Sequence, residues 1–289
     1  MRRAALGAAV ASLVLLSACS AGTTSGSQTS QDSSPASSAA VTGPAEMEHV
    51  HNITLEGDAL LLGSHEGLWR QEPGKTPQRV SEPFDVMAFA LAQGRYLASG
   101  HPAAGSRQPG DLGLIQSMDR GRTWTLVSLK GQADFHRLVT AQATVMGVTS
   151  ADGTLRSSTD GGATWTLVGA GPYDLALDPK EPERVLATTA NGPEISTNGG
   201  TNFAPIPGAP LLALVAWKGE SLVGAAPDGG IHTSADAGKT WTRVGEVPGQ
   251  PAGLSVAGAT VVVLADSTVW QSTDGGKTFT ARITGVAGH

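Results

Sequence analysis

The sequence predicts an all-β protein folded as a six-bladed β-propeller, a ring of six four-stranded sheets. Three observations support this prediction. Glycine makes up 38 of the 289 residues and charged residues only 15%, a composition rich in turn formers and unlike that of long helices. One short pattern returns six times along the chain. Short runs of β-branched residues, bounded by Gly or Asp, surround the copies.

The repeated pattern is a serine, an aspartate two positions later, a glycine, a threonine and an aromatic residue. Four copies are clear, at residues 117–124, 158–165, 234–241 and 272–279. A fifth copy at 196–203 is weaker, and a sixth at 70–76 is the most eroded. Successive copies start 47, 41, 38, 38 and 38 residues apart. A nearly regular period of this length predicts one structural unit per copy.

The residue types in the pattern are those of a tight hairpin turn. An aspartate side chain accepts hydrogen bonds from turn amides, and glycine adopts the positive φ that such turns often need. We therefore predict a structural role for the four aspartates, which are Asp119, Asp160, Asp236 and Asp274. The aromatic residue is expected to pack beneath its turn, with three tryptophans buried at equivalent positions: Trp124, Trp165 and Trp241.

Each repeat also contains the strands that would surround such a turn. In the third repeat they are predicted at residues 135–140, 144–149, 154–158 and 165–168. Equivalent second strands are predicted at residues 59–62, 96–99, 185–188, 222–225 and 261–264. Four strands in roughly 40 residues form one propeller blade, so the repeats predict six blades over residues 46–289. The four-strand units begin and end in phase, and no strand exchange is expected to close the ring.

The N-terminal residues predict export and membrane anchoring. Two arginines precede the apolar run 4–16, which is too short to cross a bilayer and is typical of a signal peptide at residues 1–18. Residues 16–19, Leu-Ser-Ala-Cys, resemble a bacterial lipobox, which implies a lipid on Cys19 at the outer face of the cytoplasmic membrane. An ordinary secretory signal with an incidental cysteine is the alternative. The Ser- and Thr-rich residues 19–45 are predicted to be a disordered tether.

Composition excludes several classes of function. The formal net charge of -6 argues against a nucleic-acid module, which needs a basic surface. The single cysteine excludes a disulfide framework and any multi-cysteine zinc or iron–sulfur site. The Gly-Gly pairs lie in predicted hairpin turns rather than in a strand-to-helix nucleotide loop.

Polar residues concentrate at one end of the predicted ring. In a propeller, the loops between second and third strands and the connections between blades emerge opposite the repeated turns. Five of the seven histidines fall there, all in the first three repeats: His49, His51, His65, His101 and His136. Asp85 and Asp134 belong to the same set, whereas repeats 4 to 6 offer little there. This asymmetry favours a ligand-binding site made of these seven residues.

The residue types in this set suggest two kinds of chemistry. Neutral imidazoles beside a carboxylate suit a borderline cation such as Zn²⁺ or Cu²⁺, with the five histidines as candidate metal ligands. Without a metal, the same groups could act as acids and bases near neutral pH. The candidate catalytic acids are Glu66, Asp85 and Asp134, with Asp174 on the same face. The insertion at residues 101–111 is expected to cover one side of this face.

The repeated pattern resembles the Asp-box, or BNR repeat, of sialidases, sortilin-type receptors and xyloglucanases. The chain also resembles bacterial exported Asp-box proteins labelled glycosyl hydrolase by similarity. That second resemblance rests on four segments: His49-Val50-His51, His65-Glu66-Gly67, Ser99-Gly100-His101-Pro102 and Asp134-Phe135-His136. These resemblances imply a propeller that either hydrolyses a glycoside or binds without catalysis, as sortilin-type receptors and photosystem-assembly proteins do.

The residues that a sialidase active site would need are not found at the expected positions. The resemblance would require an arginine trio and a Tyr–Glu nucleophile pair, but Arg107 and Arg137 are the only nearby arginines, and Tyr96 is predicted on the wrong face. We therefore predict a tethered module that binds a protein or glycan through the His- and Asp-rich face. The alternative is a glycoside hydrolase using two carboxylates, whose separation would set an inverting or retaining mechanism.

Overall fold

The computed structural model describes residues 39–286 and Gly288, and the regular structure there is entirely β-strand. None of the described residues forms a helix that is long and apolar enough to cross a membrane. The predicted signal peptide at 1–18, Cys19, and most of the predicted tether at 19–45 lie outside the described residues.

In the described part of the chain, twenty-five strands form six sheets. The six sheets are those that the sequence predicts, and one strand, β1, is additional to the predicted four per blade. Strand β1 (Val41–Thr42) precedes the first blade. The blades are, in order, β2 (Val50–Glu56), β3 (Ala59–Ser64), β4 (Gly67–Gln71) and β5 (Gln78–Arg79); β6 (Phe84–Ala92), β7 (Arg95–Pro102), β8 (Leu114–Ser117) and β9 (Thr125–Ser128); β10 (Phe135–Ala141), β11 (Thr144–Thr149), β12 (Thr154–Ser158) and β13 (Thr166–Ala170); β14 (Asp174–Leu177), β15 (Val185–Thr189), β16 (Gly192–Ser196) and β17 (Ala204–Pro205); β18 (Leu214–Lys218), β19 (Ser221–Ala225), β20 (Gly230–Ser234) and β21 (Thr242–Glu246); β22 (Pro251–Ala257), β23 (Thr260–Ala265), β24 (Thr268–Ser272) and β25 (Thr280–Thr284).

Within each blade the four strands pair antiparallel in chain order. The first strand of every blade lines a central cavity of ≈ 200 Å³. The core lies between neighbouring blades: Leu61 and Leu68 of blade 1 pack with Val86 of blade 2, and Leu186 of blade 4 packs with Leu212 at the start of blade 5. Burial of these apolar side chains holds each blade against the next.

The ring is closed by a strand exchange, so the expectation of no exchange is wrong. Strand β1 adds to the outer edge of blade 6, parallel to β25, with Val41 opposite Ile283. Gly43 N also donates to Thr284 O at 2.8 Å. This fifth strand satisfies backbone groups of an otherwise open edge. It lies within the predicted tether, where two strand residues are too few to show a periodic pattern.

The repeated turns are hydrogen-bonded as the sequence predicts. In blade 3, Thr164 donates through its N–H and its hydroxyl to the two oxygens of Asp160, at 2.9 and 2.6 Å. Ser158 Oγ donates to Asp160 Oδ1 at 2.7 Å and accepts from Gly162 N at 2.8 Å. The Thr164 hydrogen bonds, followed by that of Ser158, hold the pKa of Asp160 well below its usual range. Glycine is required at 162, where φ is 93° and a Cβ would lie 2.2 Å from Leu114.

The tryptophans that follow these turns are half-buried, so the prediction that Trp124, Trp165 and Trp241 are buried is wrong. The indole N–H of Trp165 donates to Gly162 O at 3.0 Å, and that of Trp241 donates to Gly238 O at 2.9 Å. Each of these two rings is therefore fastened to its own turn. The outer strand that follows is an exposed blade edge, and part of each ring stays in contact with solvent.

The eroded first repeat is offset by one residue from its predicted frame. Gln71, rather than Arg70, is fully buried and pairs with Leu60 as Ser158 pairs with Val145. Its amide donates to Lys75 O at 3.0 Å, which replaces the serine's bonds in the turn.

Candidate functional site

The seven predicted site residues lie at one end of the central cavity. We call this end the mouth. It is formed by the first residues of the inner strands and the loops between second and third strands of blades 1 to 3. Placing the blades in register shows that His49, Asp85 and Asp134 occupy one equivalent position, two residues before the β-bulge of each inner strand. The three blades therefore contribute different groups from the same structural position.

Two of the histidines are positioned by β-bulges. The inner strands of blades 1 and 3 shift register at His51 and His136, between Val50 and Asn52 and between Phe135 and Arg137. A bulge redirects a side chain that simple alternation would place elsewhere. The prediction that strand alternation places His49 and His51 on the same side is thus wrong. His49 precedes the strand, with a φ of 46°, and His51 lies in the bulge. Their rings nevertheless converge.

In blade 1, three imidazole rings pack against one another at the mouth in tilted arrangements. The ring centroid of His65 lies 4.9 Å from that of His49 and 4.7 Å from that of His51. Asp85 reaches the same group from blade 2, with Oδ1 at 3.4 Å from His51 Nε2 and Oδ2 at 3.9 Å from His65 Nε2. The His51 side chain is 4% exposed and that of His65 is 42% exposed. We call His51, His65 and Asp85 the His51 trio.

In blade 3, a buried carboxylate forms the centre of a second group. Asp134 Oδ2 accepts from His136 Nε2 at 2.8 Å and from Ser150 Oγ at 3.0 Å, and lies 3.4 Å from His101 Nε2. Burial alone would raise the pKa of Asp134, but the His136 hydrogen bond and the charges of His136 and His101 hold it below its usual value. We call Asp134, His101, His136 and Ser150 the Asp134 group.

His101 joins the two groups. It lies directly opposite Asp85 in the pairing of β6 and β7. Its Nδ1 is 2.9 Å from Gly110 O, and since a carbonyl only accepts, Nδ1 carries the proton. Burial lowers the pKa of His101, but this bond and the charges of Asp134, Asp85 and Asp111 outweigh it and raise the pKa above its usual value.

The sequence prediction missed two members of the site. Ser150 follows the second strand of blade 3 as His65 follows that of blade 1, so aligning the repeats in register would have found it. Asp111 ends the long insertion and lies 3.7 Å from His101. The insertion borders the mouth through Gly110 and Asp111, on the side where the sequence predicts it.

Two of the candidate catalytic acids are engaged in local structure. Glu66 Oε2 accepts from Ser64 Oγ at 2.9 Å and from Glu48 N at 3.0 Å, which fastens a hairpin turn. Asp174 lies deeper in the cavity, where its Oδ2 accepts from Val215 N at 2.9 Å and its Oδ1 is 3.5 Å from Arg137. Burial raises the pKa of Asp174 despite the opposing charge of Arg137.

Exposed apolar side chains extend the rim into blades 4 and 5. Tyr173 precedes the inner strand of blade 4 and is 63% exposed, and Leu211 precedes that of blade 5 and is 52% exposed. Arg137 Nε donates to Tyr173 O at 3.1 Å, which connects this part of the rim to the strand of His136. The mouth therefore combines a polar network with exposed apolar side chains.

Among the described residues, the His51 trio is the group whose ligand atoms could hold a metal ion, because all three lie within 4.8 Å of one another. The five-histidine metal set predicted from the sequence is divided here between two groups. His101 and His136 flank Asp134, and His49 packs against His65. His232, by contrast, lies on β20 of blade 5, away from the mouth.

No protein-family model matches the sequence. A xyloglucanase from a Paenibacillus species is 31% identical in the aligned part, which covers 38% of this chain and 14% of that protein. The chain therefore spans a small part of this relative's length.

Several solved structures share the architecture. A structure from a nidogen/laminin complex gives a TM-score of 0.61 at 11% identity, covering 78% of this chain and 94% of that chain. The GH74 xyloglucanase from Xanthomonas campestris gives 0.55 at 16% identity, covering 84% and 46%. YCF48 bound to D1 peptide gives 0.52 at 14% identity, covering 82% and 81%. At these identities the likeness shows the β-propeller fold alone.

Proposed function

We propose that this protein is a membrane-tethered binding module that presents its mouth to a partner protein of the cell envelope. The observation that supports this most is the convergence of five histidines and two aspartates from three blades around one end of the cavity. A propeller needs no such groups for its core, because its blades are held together by apolar layers. Their confinement to half of the ring favours a recognition surface.

The exposed apolar side chains on the rim support a protein as the ligand. Tyr173 and Leu211 are exposed beside the polar network, and exposed aromatic and apolar side chains next to polar groups are typical of protein-binding surfaces. Tyrosine is also enriched among the residues that dominate binding energy. YCF48, a propeller of similar size, has been solved with a bound peptide.

The tether would set how far the module stands from the membrane. A lipid on Cys19 would leave the Ser- and Thr-rich residues 20–40 between the anchor and strand β1, which begins at Val41. The mouth could therefore reach partners embedded in, or attached to, the same membrane.

Photo-cross-linking tests this proposal with two matched positions. Leu211 lies on the rim of the mouth, and Met118, which is 70% exposed, lies in a repeated turn at the opposite end. Each is replaced in turn by p-benzoylphenylalanine in producing cells, and adducts are identified by mass spectrometry. We expect a defined protein adduct from position 211 and none of the same identity from position 118. Absence of an adduct at 211, or identical adducts at both positions, would contradict the proposal.

A glycoside hydrolase is the second candidate, favoured by the similarity to a Paenibacillus xyloglucanase. Asp174, whose pKa is raised by burial, would be the proton donor, and Asp85 the second carboxylate. Glu66 and Asp134 are less suited because neighbouring side chains already hydrogen-bond them. Reducing ends released from xyloglucan by the wild-type protein, and lost in Asp174→Asn, would favour this candidate over binding alone.

A further inference from the structure

We propose that the mouth contains a binding site for a divalent transition-metal ion, formed by His51 Nε2, His65 Nε2 and the carboxylate of Asp85. The site depends on the proposed function only for the role of the ion, which would offer an open coordination position to the partner. Binding of the ion itself requires nothing beyond these three side chains.

The separations between ligand atoms match a metal site. Zinc–nitrogen and zinc–oxygen bonds of about 2.0–2.1 Å at tetrahedral angles place ligand atoms about 3.4 Å apart. His51 Nε2 and Asp85 Oδ1 are 3.4 Å apart. The third ligand atom, on His65, lies within 4.8 Å of both. A movement of about 1–1.5 Å by His65, in an exposed hairpin loop, would complete the geometry.

The contrast with the Asp134 group strengthens the assignment. His136 Nε2 is 2.8 Å from Asp134 Oδ2, the length of a charge-assisted hydrogen bond. In the His51 trio the corresponding separations are 3.4 and 3.9 Å, longer than such a bond. Asp134 thus contacts His136 directly and lies 3.4 Å from His101, whereas both imidazoles of the His51 trio lie 3.4 Å or more from Asp85.

Ligand chemistry and burial indicate the class of ion. Two imidazoles and one carboxylate favour a borderline cation such as Zn²⁺ over the hard ions Mg²⁺ and Ca²⁺, which prefer oxygen. His51 is almost fully buried, Asp85 is 22% exposed and His65 is 42% exposed. The site is therefore anchored on its inner side and accessible from the mouth. Three protein ligands leave a tetrahedral ion one position for an exogenous donor.

Neighbouring residues would position the ligands. The His49 ring packs against the His65 ring at a centroid distance of 4.9 Å, which limits the rotation of His65. Gly100 lets β7 approach β6 closely, since a Cβ at this residue would lie 1.8 Å from Asp85 O. Such supporting contacts hold metal ligands in place.

Titration of the untagged mature protein with Zn²⁺, followed by isothermal calorimetry and by metal analysis after dialysis, tests the site. We expect one equivalent of Zn²⁺ for the wild type and no measurable binding of Mg²⁺ or Ca²⁺. The double variant His51→Ala/His65→Ala should bind Zn²⁺ at least ~100-fold more weakly, since loss of a ligand exceeds the ~10–100-fold cost of losing a supporting contact. Asp85→Asn, which keeps the side-chain volume, should also weaken binding at least ~10-fold.

Three outcomes would overturn the proposal: no bound Zn²⁺ in the wild type, unchanged affinity in both ligand variants, or losses of affinity in His136→Ala and in the control His232→Ala as large as those in the ligand variants. Far-UV circular dichroism shows whether each variant is folded. If the double variant does not fold, Asp85→Asn still tests the site. The assay uses no partner protein, so its failure leaves the cross-linking result unaffected, and the reverse also holds.

Discussion

Asp85 and His101 lie directly opposite each other on β6 and β7, and this pair connects the two polar groups of the mouth. Asp85 extends toward His51 and His65 in blade 1, and His101 extends toward Asp134 in blade 3. Blade 2 therefore contributes one residue to each group: Asp85 belongs to the His51 trio, and His101 belongs to the Asp134 group.

Removing the buried carboxylate of Asp134 should destabilise the fold in a pH-dependent way. Its pKa is lowered in the folded protein, so its contribution is present above the unfolded value of about 3.9 and is lost as the pH falls through the folded value. We expect Asp134→Asn to lower the free energy of unfolding by about 2–4 kcal/mol at pH 7. Urea denaturation of both proteins should show this difference shrinking below about pH 4. A pH-independent difference would contradict the ionised state assigned to Asp134.

The tryptophan of the third repeated turn should contribute less than a core aromatic. Trp165 is half-buried, whereas Phe135, which it contacts at a centroid distance of 4.8 Å, is fully buried. Phe135→Ala should cost about 3–5 kcal/mol and Trp165→Ala about 2 kcal/mol. Denaturant unfolding of the two variants gives the comparison, and equal costs would contradict the exposure of the indole.

The close approach of β6 and β7 beneath the mouth should tolerate no side chain at residue 100. Gly100 has a φ of 151°, and a Cβ would overlap Asp85 O. We expect Gly100→Ala to destabilise the fold by about 2–4 kcal/mol. Gly94→Ala is a control, because it also has positive φ but has nothing within 4 Å of an added Cβ. Similar costs for both variants would show that backbone strain, not the close approach, determines the effect.

Strand β1, which pairs with β25 of blade 6, should stabilise the ring. Val41 pairs with Ile283 and packs against the core between blades 6 and 1. Val41→Glu should lower the free energy of unfolding by about 1 kcal/mol, with the exposed neighbour Thr42→Glu as a milder control. An unchanged melting temperature for Val41→Glu would show that β1 contributes nothing to closure.

Membrane attachment should depend on Cys19. Cys19→Ser should release the mature protein into the soluble fraction of the envelope or the medium, while the wild type stays with membranes. Fractionation and intact mass measure the two outcomes. Wild-type protein that lacks the mass of a lipid would contradict the predicted anchor.

The architecture was predictable because the repeated turn pattern occurs six times, once in each blade. Strands β11 and β12 begin and end where the β-branched runs predict. The mouth histidines were predictable as a set, since topology alone assigns them to one end. Their division into two groups was not, because it depends on the bulges at His51 and His136 and on how closely the blades approach. The two-residue strand β1 carries too little pattern to be predicted at all.

The yield of the cross-link from position 211 in His101→Ala/His136→Ala, relative to the otherwise unsubstituted chain, tests the central claim most directly. Neither residue belongs to the His51 trio, so the measurement does not depend on the metal site. If the Asp134 group is part of the surface that binds the partner, the yield should fall about tenfold, equivalent to about 1.4 kcal/mol of binding free energy, while the control His232→Ala keeps the original yield. An unchanged yield in the double variant would contradict a binding role for this group.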